Sequence, residues 1–191
     1  MIELLLIGAL AQVAVVPPEA DELPWPPWHQ ILTALEEPAI DAFPRDGRVF
    51  RFVWVPPFPS MRIFAVRVED FGGGPRMTGK ISRWTGRWTS DGEYELRGTL
   101  AHTVERPLSE STWAELRALR EDGFWKFFPA EYPQPVADGA VWVLEGSAWG
   151  ERLRIVQHVP RASPFKTLCR RMLDLLNPLL RESESSLARD R

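Results

Sequence analysis

The chain reads as an α+β protein: a single domain with an antiparallel sheet of about six strands, a helix between the fourth and fifth strands, and a C-terminal helix packed on one face. Three observations predict this. Four segments between Val49 and Val104 carry the period-2 pattern of strands, separated by proline- or glycine-rich breaks. Asp138-Gly139 is a turn signal, and the Val141-Trp142-Val143-Leu144 run after it is rich in β-branched, aromatic and aliphatic residues, as a buried strand is. Ser163-Pro164, a capping serine with proline at the first helical position, opens an amphipathic pattern near the end of the chain.

Taken in order, residues 1–11 contain the apolar run Leu4 to Ala11, which ends in Ala-Leu-Ala, the small-x-small pattern that signal peptidase accepts. The run predicts export to the periplasm or the medium, although Glu3 stands where a basic residue is expected. It is far short of the roughly 20 residues that span a bilayer, so no transmembrane segment is expected. Residues 12–27 have the composition of a proline-rich linker, and the domain is expected over 28–180. Ile31, Leu32 and Leu35 repeat at helical spacing from Trp28, and Pro38 stops them.

The four strands are expected at Val49 to Val55, Arg62 to Glu69, Arg76 to Trp84 and Tyr94 to Val104. The second carries apolar residues on both faces, Ile63 and Ala65 on one and Phe64, Val66 and Val68 on the other, and therefore belongs in the middle of the sheet. Phe71-Gly72-Gly73-Gly74-Pro75 lacks the spacing of a dinucleotide fingerprint and reads as a turn. Asp91-Gly92 is another turn, bringing Trp88 and Tyr94 together. Ser109 caps a helix carrying Trp113, Leu116, Leu119 and Arg120, and Gly123 closes it, with Phe124 and Trp125 placed to fold back on its end.

A hairpin then spans about Ala140 to Ser147 and Glu151 to Val159. If it turns at Trp149-Gly150, Glu145 lies opposite Arg154; if at Ala148-Trp149, it lies opposite Arg152. Either register pairs Glu145 with arginine, which at a surface contributes roughly 0.2 to 1 kcal/mol. Phe165, Leu168, Cys169, Met172, Leu175, Leu176 and Leu179 form the apolar stripe of the last helix. The charged, serine-rich residues 181–191 read as a disordered tail.

Composition limits function. With 191 residues, 45% of them hydrophobic, the chain can bury a core without staples, and it must, because its one cysteine excludes both an intramolecular disulfide and a cysteine-based zinc site. That cysteine, Cys169, reads as a small buried hydrophobe. A net charge of −3 from 26 acidic and 23 basic residues predicts no affinity for nucleic acid or an anionic membrane. The three histidines, His29, His102 and His158, lack metal-motif spacing, so neither a metal nor another cofactor is expected.

The chemistry-bearing candidates are therefore few. Arg83-Trp84 and Arg87-Trp88 interleave cations and aromatics as single-stranded nucleic acid or sugar-binding surfaces do, net acidity and export arguing against nucleic acid, with the alternative that both tryptophans cover one sheet face while the arginines are solvated on the other. His158 shares the hairpin face of Glu145. Trp125, Asp138, Gly139, Trp142 and Glu145 read as structural.

In order, the capped helix ending Gly123-Phe124-Trp125, then Asp138-Gly139 with Trp142 and Glu145, then Ser163-Pro164, resemble small exported proteins of proteobacteria with no assigned function, over about Leu108 to Leu176. The resemblance implies this fold and export, and no catalytic residue. The expected function is a non-enzymatic envelope or periplasmic domain binding a protein or a glycan. A small enzyme using Glu145 or His158 is the second reading, and a self-associating structural subunit, a homo-oligomer, the third.

Overall fold

The computed structural model describes residues 14–16, 27–44, 48–57, 62–92, 94–123, 139–148, 151–158 and 163–187. Its centre is one antiparallel sheet of β1 (Ala14–Val16), β2 (Arg48–Val55), β3 (Arg62–Asp70), β4 (Arg76–Trp88), β5 (Tyr94–Pro107), β6 (Val141–Ala148) and β7 (Glu151–His158). The spatial order is β1-β7-β6-β2-β3-β4-β5. Helices α1 (Trp28–Ala34), α2 (Glu110–Gly123) and α3 (Pro164–Leu187) complete the fold, with a 3-10 turn at Ile40–Ala42. The α+β class, the helix between the two hairpin blocks and the C-terminal helix on one face are as the sequence predicts.

Two details differ from expectation. Ala14–Val16, inside the segment read as linker, add a seventh strand by pairing with Val156 to Arg154 of β7. Three residues suffice because β7 offers an otherwise open edge, and closing it satisfies backbone groups that propensity does not foresee. At the other end, α3 runs through to Leu187, so part of the stretch read as disordered tail is helical. The helix continues through Pro178, since a helix already docked by its apolar stripe tolerates one lost hydrogen bond.

Strand parity divides the sheet into two faces. Phe50, Phe52, Val66, Val68, Met77, Leu144 and Ile155 point toward α2 and α3 and pack with Trp113, Leu116, Phe165, Leu168, Cys169, Met172 and Leu176. Val53, Val55, Ile63, Ala65, Trp84, Val141, Val143 and Val156 point the other way, toward Trp28, Ile31, Leu32 and Leu35 of the α1 region. β3 indeed sits inside the sheet, between β2 and β4. The expected caps are present: Thr112 N–H donates to Ser109 Oγ at 3.1 Å, and Lys166 N–H to Ser163 Oγ at 3.2 Å.

Two glycines let the helices approach. A Cβ on Gly79 would stand 2.3 Å from Leu176 Cδ2 of α3, and one on Gly98 would stand 2.3 Å from Ala34 Cβ of α1. Each helix thus rests directly on backbone, on opposite faces of the β4–β5 hairpin. That hairpin carries a bulge: Ile81 pairs with His102 and Ser82 with Leu100, leaving Ala101 over. Asp91-Gly92 forms the turn, with Gly92 at φ +83° and Trp88 opposite Tyr94 as predicted.

Candidate functional site

Of the two registers that the sequence allows, the observed one is Glu145↔Arg154, with Ala148 opposite Glu151 and the two residues between them outside the described residues. The same row continues across the sheet through Arg51 on β2, Arg67 on β3 and Thr78 on β4, one polar residue directly opposite the next. All lie on the α1 face. Glu145 and Arg51 are wholly buried, and Arg154 nearly so. This corrects the expectation of a surface register pair: Arg51 Nε and Nη2 both donate to Glu145 Oε2, and Arg154 Nε donates to Oε1 at 2.7 Å.

A second carboxylate covers the row from above. Glu36 takes a left-handed backbone conformation (φ 51°) that ends α1 and turns Glu37 onto the sheet. Glu37 lies 3.1 Å from Arg51 Nη1, 3.6 Å from Arg67 Nη1 and 3.1 Å from Lys80 Nζ, so three cations on three adjacent strands share it. Arg51 Nη1 also donates to the Pro38 carbonyl at 2.6 Å, and Lys80 Nζ to the Glu36 carbonyl at 2.6 Å. Trp28 roofs the row, with the Arg154 and Arg51 guanidinium carbons 5.1 and 5.9 Å from its ring centre. Burial alone would lower the Arg51 pKa, but the Glu145 and Glu37 carboxylates outweigh it and the net direction is upward.

This arrangement cannot act as a general base. Both Glu145 oxygens accept from guanidinium, and its side chain is sealed from water. Its chemistry is that of a buried ionic network, which fixes strand register and docks the α1 loop.

The opposite face offers exposed groups. Helix contacts on β4 fall at Met77 and Gly79, while Arg83, Thr85 and Arg87, farther along the same face, are exposed. Their cross-strand neighbours are Thr99, Arg97 and Glu95 on β5, and Arg62 of β3 lies opposite Arg83. Arg87 and Arg97, each 64% exposed in the side chain, flank the single carboxylate of Glu95, to which they donate at 2.9 and 3.0 Å. Hydrogen bonds from Arg97 first, then Arg87, hold the Glu95 carboxyl below its ordinary pKa. Trp142, Trp54 and Phe64 form a row on β6, β2 and β3 beside this surface, half-buried, with Trp54 and Phe64 tilted at 5.3 Å.

Of the sequence-derived binding residues, Arg83 and Arg87 therefore share one face. Trp84 does not join them: at 3% exposure it is packed under α1, and no ligand reaches its ring. His158 pairs with Val141 at the far end of β7 on the Glu145 face, away from Arg83. The side chains of Trp88 and His158, and Trp125 and Asp138 altogether, lie outside the described residues. Trp142 packs at 5.3 Å on Phe52.

Arg51, Arg67, Lys80 and Glu37 escaped sequence reasoning because their partners are remote in the chain. One signal was present: an arginine inside Val49-Phe50-Arg51-Phe52-Val53, and another between Val66 and Val68, marks a charge that strand parity commits to a buried face. Among the described residues no cluster of three potential metal-ligating side chains occurs, and no helix is long and apolar enough to cross a membrane. Comparison with models of protein families, with curated proteins and with solved structures finds nothing that matches this chain.

Proposed function

We propose that the chain is an exported, non-enzymatic domain that binds a glycan or a partner protein through the open face of the β3–β4–β5 end of its sheet. The observation that carries this reading is that Arg83, Arg87 and Arg97 stand together in solvent on rigid paired strands, with Thr85 and Thr99 between them and one carboxylate, Glu95, shared by two of them. Side chains projected from a hairpin whose other face is anchored by Trp84 and Gly98 under α1 are pre-organised, which lowers the entropic cost of engaging a ligand. A catalytic role for Glu145 finds no support, because its carboxylate is internally paired.

Export is supported by the Leu4 to Ala11 run, and cleavage after Ala11 would leave every described strand in the mature chain, since β1 starts at Ala14. Sequencing the amino terminus of chain recovered from the periplasm of a bacterial host tests this, with Gln12 the expected first residue. For binding, defined glycans and purified envelope proteins are presented to the wild type and to a folded Arg83→Ser/Arg87→Ser variant. A ligand held by the first and lost by the second supports the reading, whereas equal retention removes this face from it.

A further inference from the structure

We infer that the ligand of this face is an acidic polysaccharide whose charge is carried by carboxylates, a polymer of uronic acid residues; the inference rests on the binding role proposed above. The covered face of the same sheet supplies the precedent. There Arg51 and Arg67 stand directly opposite each other on β2 and β3, a like-charge juxtaposition that destabilises paired strands, and the Glu37 carboxylate is inserted between them. On the open face Arg62 and Arg83 repeat that juxtaposition on β3 and β4. Arg83 is exposed and forms no ion pair among the described residues.

Farther out, Arg87 and Arg97 divide one carboxylate, so among the described residues the three exposed arginines of this face, Arg83, Arg87 and Arg97, stand beside a single carboxylate, Glu95. The surface is locally cationic in a chain of net charge −3. Both internal solutions to arginine pairing, Glu37 and Glu95, are planar carboxylates, the geometry that a guanidinium fork matches. Arg83 and Arg87 lie four residues apart on one strand, about 13 Å. A polymer whose acid groups recur along its length engages both, and a single small acid does not.

A glycan fits better than an acidic protein. Protein interfaces concentrate their energy in exposed aromatic or aliphatic anchors, and the large hydrophobic side chain standing exposed among the described residues, Phe71, is in the β3–β4 turn, at the opposite end of these strands. This face instead combines arginine with threonine hydroxyls and the half-buried edges of Trp54 and Phe64, groups that suit sugar hydroxyls and C–H surfaces.

The test measures binding of the full chain to polygalacturonate, to the same polymer fully methyl-esterified, and to polyglutamate. We expect polygalacturonate to bind, esterification to weaken it by about tenfold or more, and Arg83→Ser or Arg97→Ser to weaken it by about tenfold each, as loss of a charge-assisted hydrogen bond does. Glu95→Gln, which releases Arg87 and Arg97 from their internal partner, tightens it. Circular dichroism and thermal melting show each variant folded. Equal binding of the esterified polymer overturns the acidic ligand yet leaves a glycan-binding face. Polyglutamate binding as tightly overturns the glycan in favour of an acidic protein. Binding to none of the three overturns the inference while leaving the protein-partner form of the proposed role standing, and binding unchanged in the arginine variants overturns the inference and the face together.

Discussion

Arg51 and Glu145 stand directly opposite one another on β2 and β6, both at 0% exposure, with two guanidinium nitrogens donating to one carboxylate oxygen. A charge pair so placed is a different object from the surface pair that hairpin parity suggested. Removing one member leaves the other charged in a site closed to water, and this dominates the cost. Glu145→Gln is therefore expected to destabilise by about 3–5 kcal/mol, read as a lowered urea midpoint. A double-mutant cycle with Arg154→Met, whose Nε reaches the other oxygen, should show coupling of about 0.5–3 kcal/mol. A loss under about 1 kcal/mol for Glu145→Gln would mean the row is hydrated and the burial described here is wrong.

At Gly79, Leu176 of α3 rests against the backbone of β4. Gly79→Ala places a methyl group in the volume of Leu176 Cδ2, with Val104 Cγ1 already 3.2 Å away, and overpacking of this kind costs about 1–3 kcal/mol. The accompanying Leu176→Ala change makes room for it, so the pair should be markedly less destabilised than the sum of the single variants. Strict additivity in chemical denaturation would show that the helix simply rides outward.

Two of the tryptophans in the helix-packed cluster, Trp113 and Trp142, should separate. Trp113 is 3% exposed and stacked on Phe50 at 5.7 Å, so Trp113→Ala is expected to cost about 3–5 kcal/mol. Trp142, half-buried at the border of the same cluster, should cost less. A thermal melt in which Trp142→Ala is the more damaging would place the centre of the core nearer β6 than the packing does.

Cys169 is fully buried on α3, and burial pushes its thiol well above the ordinary value, so the nucleophilic thiolate is scarce and shielded. Native protein should leave an aromatic disulfide reagent unreacted at neutral pH, and colour should develop only as denaturant unfolds the chain. Rapid reaction without denaturant would show that α3 opens locally.

Local chemistry was legible where it is decided locally. Ser109 and Ser163 cap helices, Asp91-Gly92 turns a hairpin, and the apolar stripe from Phe165 to Leu176 packs on the sheet, because each depends on a few neighbouring residues. What could not be read was the meeting of distant segments. Glu37 joins Arg51, Arg67 and Lys80 only after α1 has been laid across three strands, and β1 exists only because β7 has an edge to accept it. At Arg83-Trp84 strand alternation was legible: the alternative reading of the sequence, arginine in solvent and tryptophan on the other face, is what is found, with Trp84 beneath α1, although α1 as its cover could not be read.

The extra residue at Ala101 has a consequence for how charge is distributed over the molecule. Before it, reading back from Pro107, Glu105 and Thr103 share the side of Thr78 and Lys80; after it, Thr99, Arg97 and Glu95 share the side of Arg83 and Arg87. Every second position of β5 changes sides at that point. Were Ala101 drawn into the ladder opposite Ser82 instead of being left out of it, the distal half would slide one position along β4, turning Arg97 and Glu95 toward the α1 layer and withdrawing Gly98 from beneath Ala34. A single alanine thus sorts the outer third of the sheet into an anchored side and a cationic one.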